Sequence, residues 1–247
     1  MNLFLKIFLL PLAILVSGEK PLVVGTTSGY APYVSLNDRG EYEGFDIDLA
    51  KELAKKLNKP LEIKDFGNMP GLMLALKQGK ADLLIWAISI TEERKKGMEM
   101  IYYQGERVAE MPVVFWKKIP EEIRTLEDLK NCSVSVEAGS YQESVLKRVP
   151  DIELKYLDSL NGAVMDLKYG KSLATCMDPP LLPRFQKQFT ELKTLFLPLP
   201  PEERSEGNGL CIQKSNQPLA SQVRQAIEEL RAEGKILELE KKWGLVQ

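Results

Sequence analysis

Twice along this chain a helix-like stretch closes on glycine and lysine and runs at once into a short, strongly apolar segment. Leu76-Lys77-Gln78-Gly79-Lys80 precedes residues 81–87, and Leu167-Lys168-Tyr169-Gly170-Lys171 precedes residues 173–177. Glycine just past a helix end stops it, because only glycine enters the left-handed region without a Cβ penalty. A strand that is apolar on both sides needs cover on both faces, which helices flanking a parallel sheet supply. The same juncture met twice restricts the fold to α/β modules.

The alternation around each juncture agrees. Residues 22–26 read as a strand, followed by the loop Tyr30-Ala31-Pro32-Tyr33 and the polar turn Asn37-Asp38-Arg39-Gly40. Phe45, Ile47, Leu49, Ala50, Leu53, Ala54 and Leu57 mostly keep helical spacing, while Lys51, Glu52, Lys55 and Lys56 cover the other face. Residues 61–66 then read as a strand, 71–78 as a helix and 81–87 as a strand. A second module follows, with strands at 133–136, 152–157 and 173–177 and helices at 141–148 and 160–169. Residues 218–243 read as two amphipathic helices split by Gly234, able to dock on either module.

Composition removes several functions. The 33 basic residues are balanced by 35 acidic ones, for a formal net charge of -2. No basic face remains for a run of phosphates, so nucleic acid is not an expected partner. The 247 residues contain no histidine, which excludes Ser-His-Asp and Cys-His nucleophile pairs and His-ligated zinc. No metal-ligand spacing, Walker loop or Gly-x-Gly-x-x-Gly fingerprint occurs, and no cofactor or metal is expected. Cys132, Cys176 and Cys211 lack Cys-x-x-Cys spacing and read as core residues, with one bridge, Cys132 to Cys176, as the alternative.

The first eighteen residues read as a secretory signal. One basic side chain, Lys6, precedes an apolar run at 7–16, which is too short to span a bilayer. Val16 and Gly18 suit the −3 and −1 positions of a cleavage site. Glu19 occupies the place where a lipid-modified cysteine would follow. The alternative is a buried N-terminal strand.

Three places carry candidate chemistry. After the apolar run at 81–87 comes Ser89-Ile90-Thr91-Glu92-Glu93-Arg94, where Thr91 caps a helix and the acidic pair suits its first turn. A serine hydroxyl, free amides and a guanidinium at a sheet edge suit a carboxylate or phosphate; an ordinary capped helix with a solvated arginine is the other reading. In the second module Glu137-Ala138-Gly139-Ser140-Tyr141 forms an equivalent edge, either an anion site or a tight turn. Asp178, before Pro179-Pro180, puts a carboxylate at a strand end, either facing the crevice or capping a helix. Tyr30, Tyr33, Met69 and Trp86 either wall a small pocket or belong to the core.

Taken together, residues 44–50 (Gly-Phe-Asp-Ile-Asp-Leu-Ala), 89–94 and 137–140 with Asp178 resemble the polar amino-acid-binding proteins of bacterial ABC importers, solute-binding protein family 3. The likeness runs over essentially all of the chain past residue 18, including Tyr102-Tyr103 and the ending Lys241-Lys242-Trp243. It implies an α/β, type II periplasmic-binding-protein-like fold: two lobes, each a parallel or mixed sheet with flanking helices, joined by two hinges. Lobe 1 would take residues 21–104 and 210–247, lobe 2 residues 109–205, and the hinges 105–108 and 205–209.

The resemblance also implies roles. Arg94 would pair with a ligand α-carboxylate, helped by Ser89 and by the amides of Gly139 and Ser140. Asp178 would receive the α-ammonium together with groups near Ala87 and Ser89. Tyr30 would cover the side-chain stem, with Met69 and Trp86 as further walls. Charge-assisted bonds of this kind are worth roughly 1.5 to 3 kcal/mol each, and a micromolar site needs only about 8. Thr27 stands where several cationic or amide binders carry aspartate, whereas Glu137 adds a negative charge near the ligand side chain. The expected ligand is arginine or lysine, taken up in the periplasm by a monomer and handed to the membrane permease of an ABC importer. Two alternatives stand beside it. One is a cyclohexadienyl dehydratase-like enzyme using Asp178 or Glu137 as the acid; the other is a ligand sensor.

Overall fold

A computed structural model describes residues 20–246, so the secretory signal expected at 1–18 lies outside the described residues. The first lobe is built from β1 (Leu22–Thr26), β2 (Ser35–Leu36), β3 (Tyr42–Glu43), α1 (Phe45–Lys56), β4 (Leu61–Asp65), α2 (Met69–Lys77), β5 (Leu83–Leu84), α3 (Glu92–Gly97) and β6 (Met98–Gln104). The second holds β7 (Glu110–Trp116), β8 (Ser133–Glu137), α4 (Tyr141–Leu146), β9 (Glu153–Leu157), α5 (Leu160–Lys168), β10 (Ala174–Cys176), α6 (Leu182–Gln188) and β11 (Leu192–Pro198). The chain then returns to the first through β12 (Asn208–Gln213), α7 (Gln217–Ala232) and α8 (Lys235–Lys242).

The two large sheets have five strands each, ordered β4-β1-β5-β12-β6 and β11-β7-β10-β8-β9, and β2 and β3 form a separate antiparallel pair. In the first, β1 runs parallel to β4 and β5, and β12 runs antiparallel to β5 and β6. In the second, β8 is parallel to β9 and β10, while β7 is antiparallel to β10 and β11. Both sheets are therefore mixed, and the antiparallel strands are those flanking the two crossings between lobes. The crossings lie side by side: Val108 donates its N–H to the Ser205 carbonyl at 3.0 Å in an isolated antiparallel bridge.

Local chemistry moves some boundaries. The apolar run at 81–87 forms a strand only over Leu83–Leu84, although Leu83 to Ile88 stay buried. Ala87 has φ 43, which kinks the run, and beyond the kink pairing continues only as an isolated antiparallel bridge between Ser89 and Asn208. The second helix begins at Met69 rather than 71, because the Asn68 side chain accepts the Gly71 N–H at 2.9 Å and Pro70 suits the first turn. The tail docks on lobe 1, where Val223, Ile227, Leu230 and Ile236 join the core that holds α1. Asp48 of α1 fixes its end by accepting from Lys242 at 2.6 Å and from the Trp243 indole at 3.0 Å.

All three cysteines are free, with Cys176 and Cys211 buried and Cys132 half-buried. The alternative bridge between Cys132 and Cys176 does not form. Thr175 pairs with Ser135 in register, which sets Cys176 several residues beyond Cys132 along the sheet. At about 3.3 Å per residue that exceeds the roughly 7 Å limit between bridged Cα atoms.

Candidate functional site

On the first lobe the site begins with a buried acid. Asp46, in the first turn of α1, is fully buried and accepts the Ala87 N–H at 2.8 Å and the Tyr103 hydroxyl at 2.9 Å. Burial pushes its carboxyl up to about 7 despite those two donors. The bond to Ala87 anchors the bend that carries Trp86, Ala87 and Ser89 to the sheet edge. Thr91 caps α3 by accepting the Arg94 N–H at 3.2 Å, which plants Arg94 in the first turn. Its guanidinium donates to the Ser89 carbonyl at 2.9 Å and, across the cleft, to the Gly139 carbonyl at 3.0 Å.

On the second lobe β8 delivers Glu137 and then turns through Gly139, φ 76, into α4. A Cβ on Gly139 would be strained by its φ of 76 and would also stand 3.1 Å from the Met69 side chain of the other lobe, so glycine suits the turn and the close approach. Asp178 follows β10 at the N-terminus of a 3-10 turn but makes no capping bond. It accepts instead from the Tyr30 hydroxyl of the first lobe and from Gln142 Nε2 at 2.6 Å.

All expected site residues except Thr27 and Gly139 line one narrow cavity, namely Tyr30, Met69, Trp86, Ala87, Ser89, Arg94, Glu137, Ser140 and Asp178. Its free volume is about 20 Å³. Thr27 lies in an adjoining cavity of about 230 Å³, which shares Tyr30, Trp86 and Glu137 as its near wall. Two amides expected to face an anion are engaged elsewhere. The Gly139 N–H donates to the Glu143 carboxylate, and the Ser140 N–H to the Glu137 carbonyl at 3.2 Å. The Ser140 hydroxyl accepts the Glu143 N–H at 3.1 Å, so α4 uses these groups as its own cap.

Sequence reasoning placed Tyr141 on the Glu137–Tyr141 edge without giving it a role and missed Gln142, which with it completes the narrow cavity, and Asp65, Asp158 and Arg184, which line the wider one. Gln142 carries no charge and follows no motif. For Asp65 a signal existed, since it ends β4 beside β1 and so reaches the edge that carries Thr27.

The electrostatics are uneven. Burial, then the neighbouring charge of Asp178, pushes Glu137 up to about 8. Asp178 is also raised by burial, which outweighs the donors Tyr30 and Gln142 and the charge of Arg94. One buried polar atom of the shared wall lacks a partner among the described residues, the Trp86 indole nitrogen, and beside it the Glu137 side chain is 9% exposed. Buried groups of this kind ordinarily find partners, and at a cavity wall they mark places for ligand atoms. A guanidinium and a carboxylate on opposite lobes of one cavity, Arg94 and Asp178, invert the charges of an α-amino acid.

Residues 22–246 match the family of bacterial extracellular solute-binding proteins, family 3. The chain belongs to this family. Among its members is the probable ABC transporter arginine-binding protein ArtJ of Chlamydia trachomatis, 35% identical over 93% of this chain and 88% of that protein. The structure of an ancestral arginine-binding protein bound to arginine superposes with a TM-score of 0.79, at 31% identity over 92% of this chain and 99% of that one. The crystal structure of the ancestral amino acid-binding protein AncCDT-1, a precursor of cyclohexadienyl dehydratase, gives 0.76 at 27% identity, covering 90% and 94%. The family is extracellular, and no helix among the described residues is long and apolar enough to cross a membrane.

Proposed function

We propose that this protein captures a free cationic amino acid, arginine before lysine, between its lobes and delivers it to the membrane permease of an ABC importer. The observation that carries the reading is the placement of Arg94 and Asp178 on facing lobes of one cavity, with Glu137 on the wall toward the wider one. Arg94 takes the α-carboxylate, Asp178 and the carbonyls near Ser89 take the α-ammonium, and Tyr30 and Trp86 cover the stem. Ligand side chains pass into the wider cavity, past Thr27. The relatives named for arginine support the choice of ligand.

The narrow cavity, at about 20 Å³, has room for about one water molecule, so entry of an amino acid requires the lobes to part. The crossings at 105–108 and 205–209 serve as hinges, with Gly105 and Gly207 at positive φ. Residues 1–18 serve as the export signal. The protein is read as a binder and not as an enzyme, because Asp178 and Arg94 are occupied in holding a zwitterion.

Thermal unfolding with each common amino acid, ornithine, citrulline and prephenate tests this. A ligand at a hundred times its Kd adds about 2.7 kcal/mol. At this chain length that raises Tm by roughly 5 to 10 °C. Stabilisation by arginine above the neutral amino acids is expected. A shift with prephenate alone, accompanied by its turnover, would replace this reading with a dehydratase.

A further inference from the structure

Thr27 leaves the end of β1 without a charge, yet three carboxyl side chains, Asp65, Glu137 and Asp158, line the wider cavity against one basic one, Arg184. Asp65, at the end of β4, pairs in register with Thr26 and so stands at the same sheet edge one strand over. Its carboxylate is fixed by three donors: the Gly67 N–H at 2.6 Å, the Tyr42 hydroxyl at 2.8 Å and the Ser28 N–H at 3.2 Å. Partial burial pushes this carboxyl up, but the donors outweigh it and hold it below the ordinary carboxylate range. Across the cleft Asp158, ahead of α5, lines the same cavity and is exposed, with no hydrogen bond or ion pair to its carboxylate among the described residues. Glu137, 9% exposed, lines the same cavity. Arg184 is the one basic side chain of this lining; it donates to the Ala31 carbonyl at 3.5 Å.

Resting on the binding reading above, we propose that Asp65 and Asp158 are specificity residues that receive the distal guanidinium of the ligand from opposite lobes. A guanidinium is a planar fork with five donors and is served best by acceptors on more than one side, whereas an ammonium presents a compact point charge. Asp65 supplies a fixed acceptor from lobe 1 in place of the charge that Thr27 lacks. Asp158 supplies a second from lobe 2, brought up only when the lobes close. Glu137 sits nearer the stem, on the wall common to both cavities. The arrangement selects guanidinium-tipped amino acids over neutral isosteres, and long cationic side chains over short ones.

Calorimetric titration of the full chain with arginine, lysine and the neutral isostere citrulline tests the assignment in the variants Asp65→Asn and Asp158→Asn. Asp65→Asn also alters the loop that holds Tyr42 and Gly67, so Asp158→Asn, which breaks no internal bond, is the cleaner variant. Each substitution is expected to weaken arginine by at least about threefold and the pair by about tenfold or more, with citrulline changed less than about twofold. Asp158→Glu should recover most of the arginine affinity. Equal losses for arginine and citrulline, or unchanged arginine binding in Asp158→Asn, would overturn the assignment while leaving the binding reading intact. Failure of the unaltered protein to bind arginine would overturn both.

Discussion

Burial, and then the charge of Asp178, push Glu137 up to about 8 in the closed cleft, which favours its protonated form near neutral pH. The groups around it are Asp178, Arg94 and Tyr30 on the narrow side and Asp65, Asp158 and Arg184 on the wide side. A cationic side chain entering the wider cavity favours ionised Glu137, so arginine binding should expel up to one proton near pH 7. Calorimetry in two buffers of different ionisation heat should detect that release, and Glu137→Gln should abolish it. Apparent arginine affinity should rise with pH, by at most about tenfold per unit, and level off above pH 8, while citrulline stays flat. Proton uptake on binding arginine would contradict this account. At this scale the sequence was legible where a charged side chain stands at a strand or helix end, as with Arg94, Glu137 and Asp178. It was not legible where backbone groups choose between ligand and helix: Glu143 and Glu137 take the Gly139 and Ser140 amides, and no spacing announces that competition.

Elements of the two modules were legible because amphipathic helices and apolar runs have distinct periods, but periodicity reports burial and not pairing. The strands flanking the crossings, β6, β7, β11 and β12, lie outside the βαβα alternation, and they make both sheets mixed. The crossings also hold a position that only glycine tolerates. A Cβ at Gly207, φ 96, would stand 2.8 Å from the Gly105 carbonyl oxygen and from the Tyr102 ring. Left-handed backbone alone costs an L-residue about 1–2 kcal/mol, and the backbone clash adds to it. Gly207→Ala should therefore lower stability to urea by more than about 1 kcal/mol and weaken arginine binding, because the crossings can no longer pack side by side as closure requires. Leu230→Ala, in the α7 core far from the cleft, should cost about 2–5 kcal/mol yet leave the affinity of the folded protein unchanged. Arginine binding that stays at full strength in Gly207→Ala would remove the crossings from the closure mechanism.

Over the whole molecule, the acids buried for binding and those buried for architecture bias stability in one direction. Asp46 is pushed up to about 7 and Glu137 to about 8, each by burial first. The folded protein therefore holds protons that the unfolded chain has released between pH 4 and those values. Stability from these groups is fully present below about pH 4 and declines as pH rises through 7 to 8, because the folded state binds more protons than the unfolded one. Asp48, Asp65 and Asp128 are held low by their donors, and they act oppositely only below about pH 4, outside that window. For Asp46 the rise to about 7 corresponds to something on the order of 4 kcal/mol. Ligand-free protein should thus lose resistance to urea between pH 5 and 8, and Asp46→Asn should flatten the decline, since an amide still accepts from Ala87 and cannot ionise. Saturating arginine should also flatten it, because the bound cation favours ionised Glu137. The two slopes are linked: what the empty cleft loses in stability as pH rises, the arginine complex regains in affinity. A ligand-free urea midpoint that does not fall between pH 5 and 8 would mean that Asp46 and Glu137 are already ionised in the folded protein, and would overturn this account.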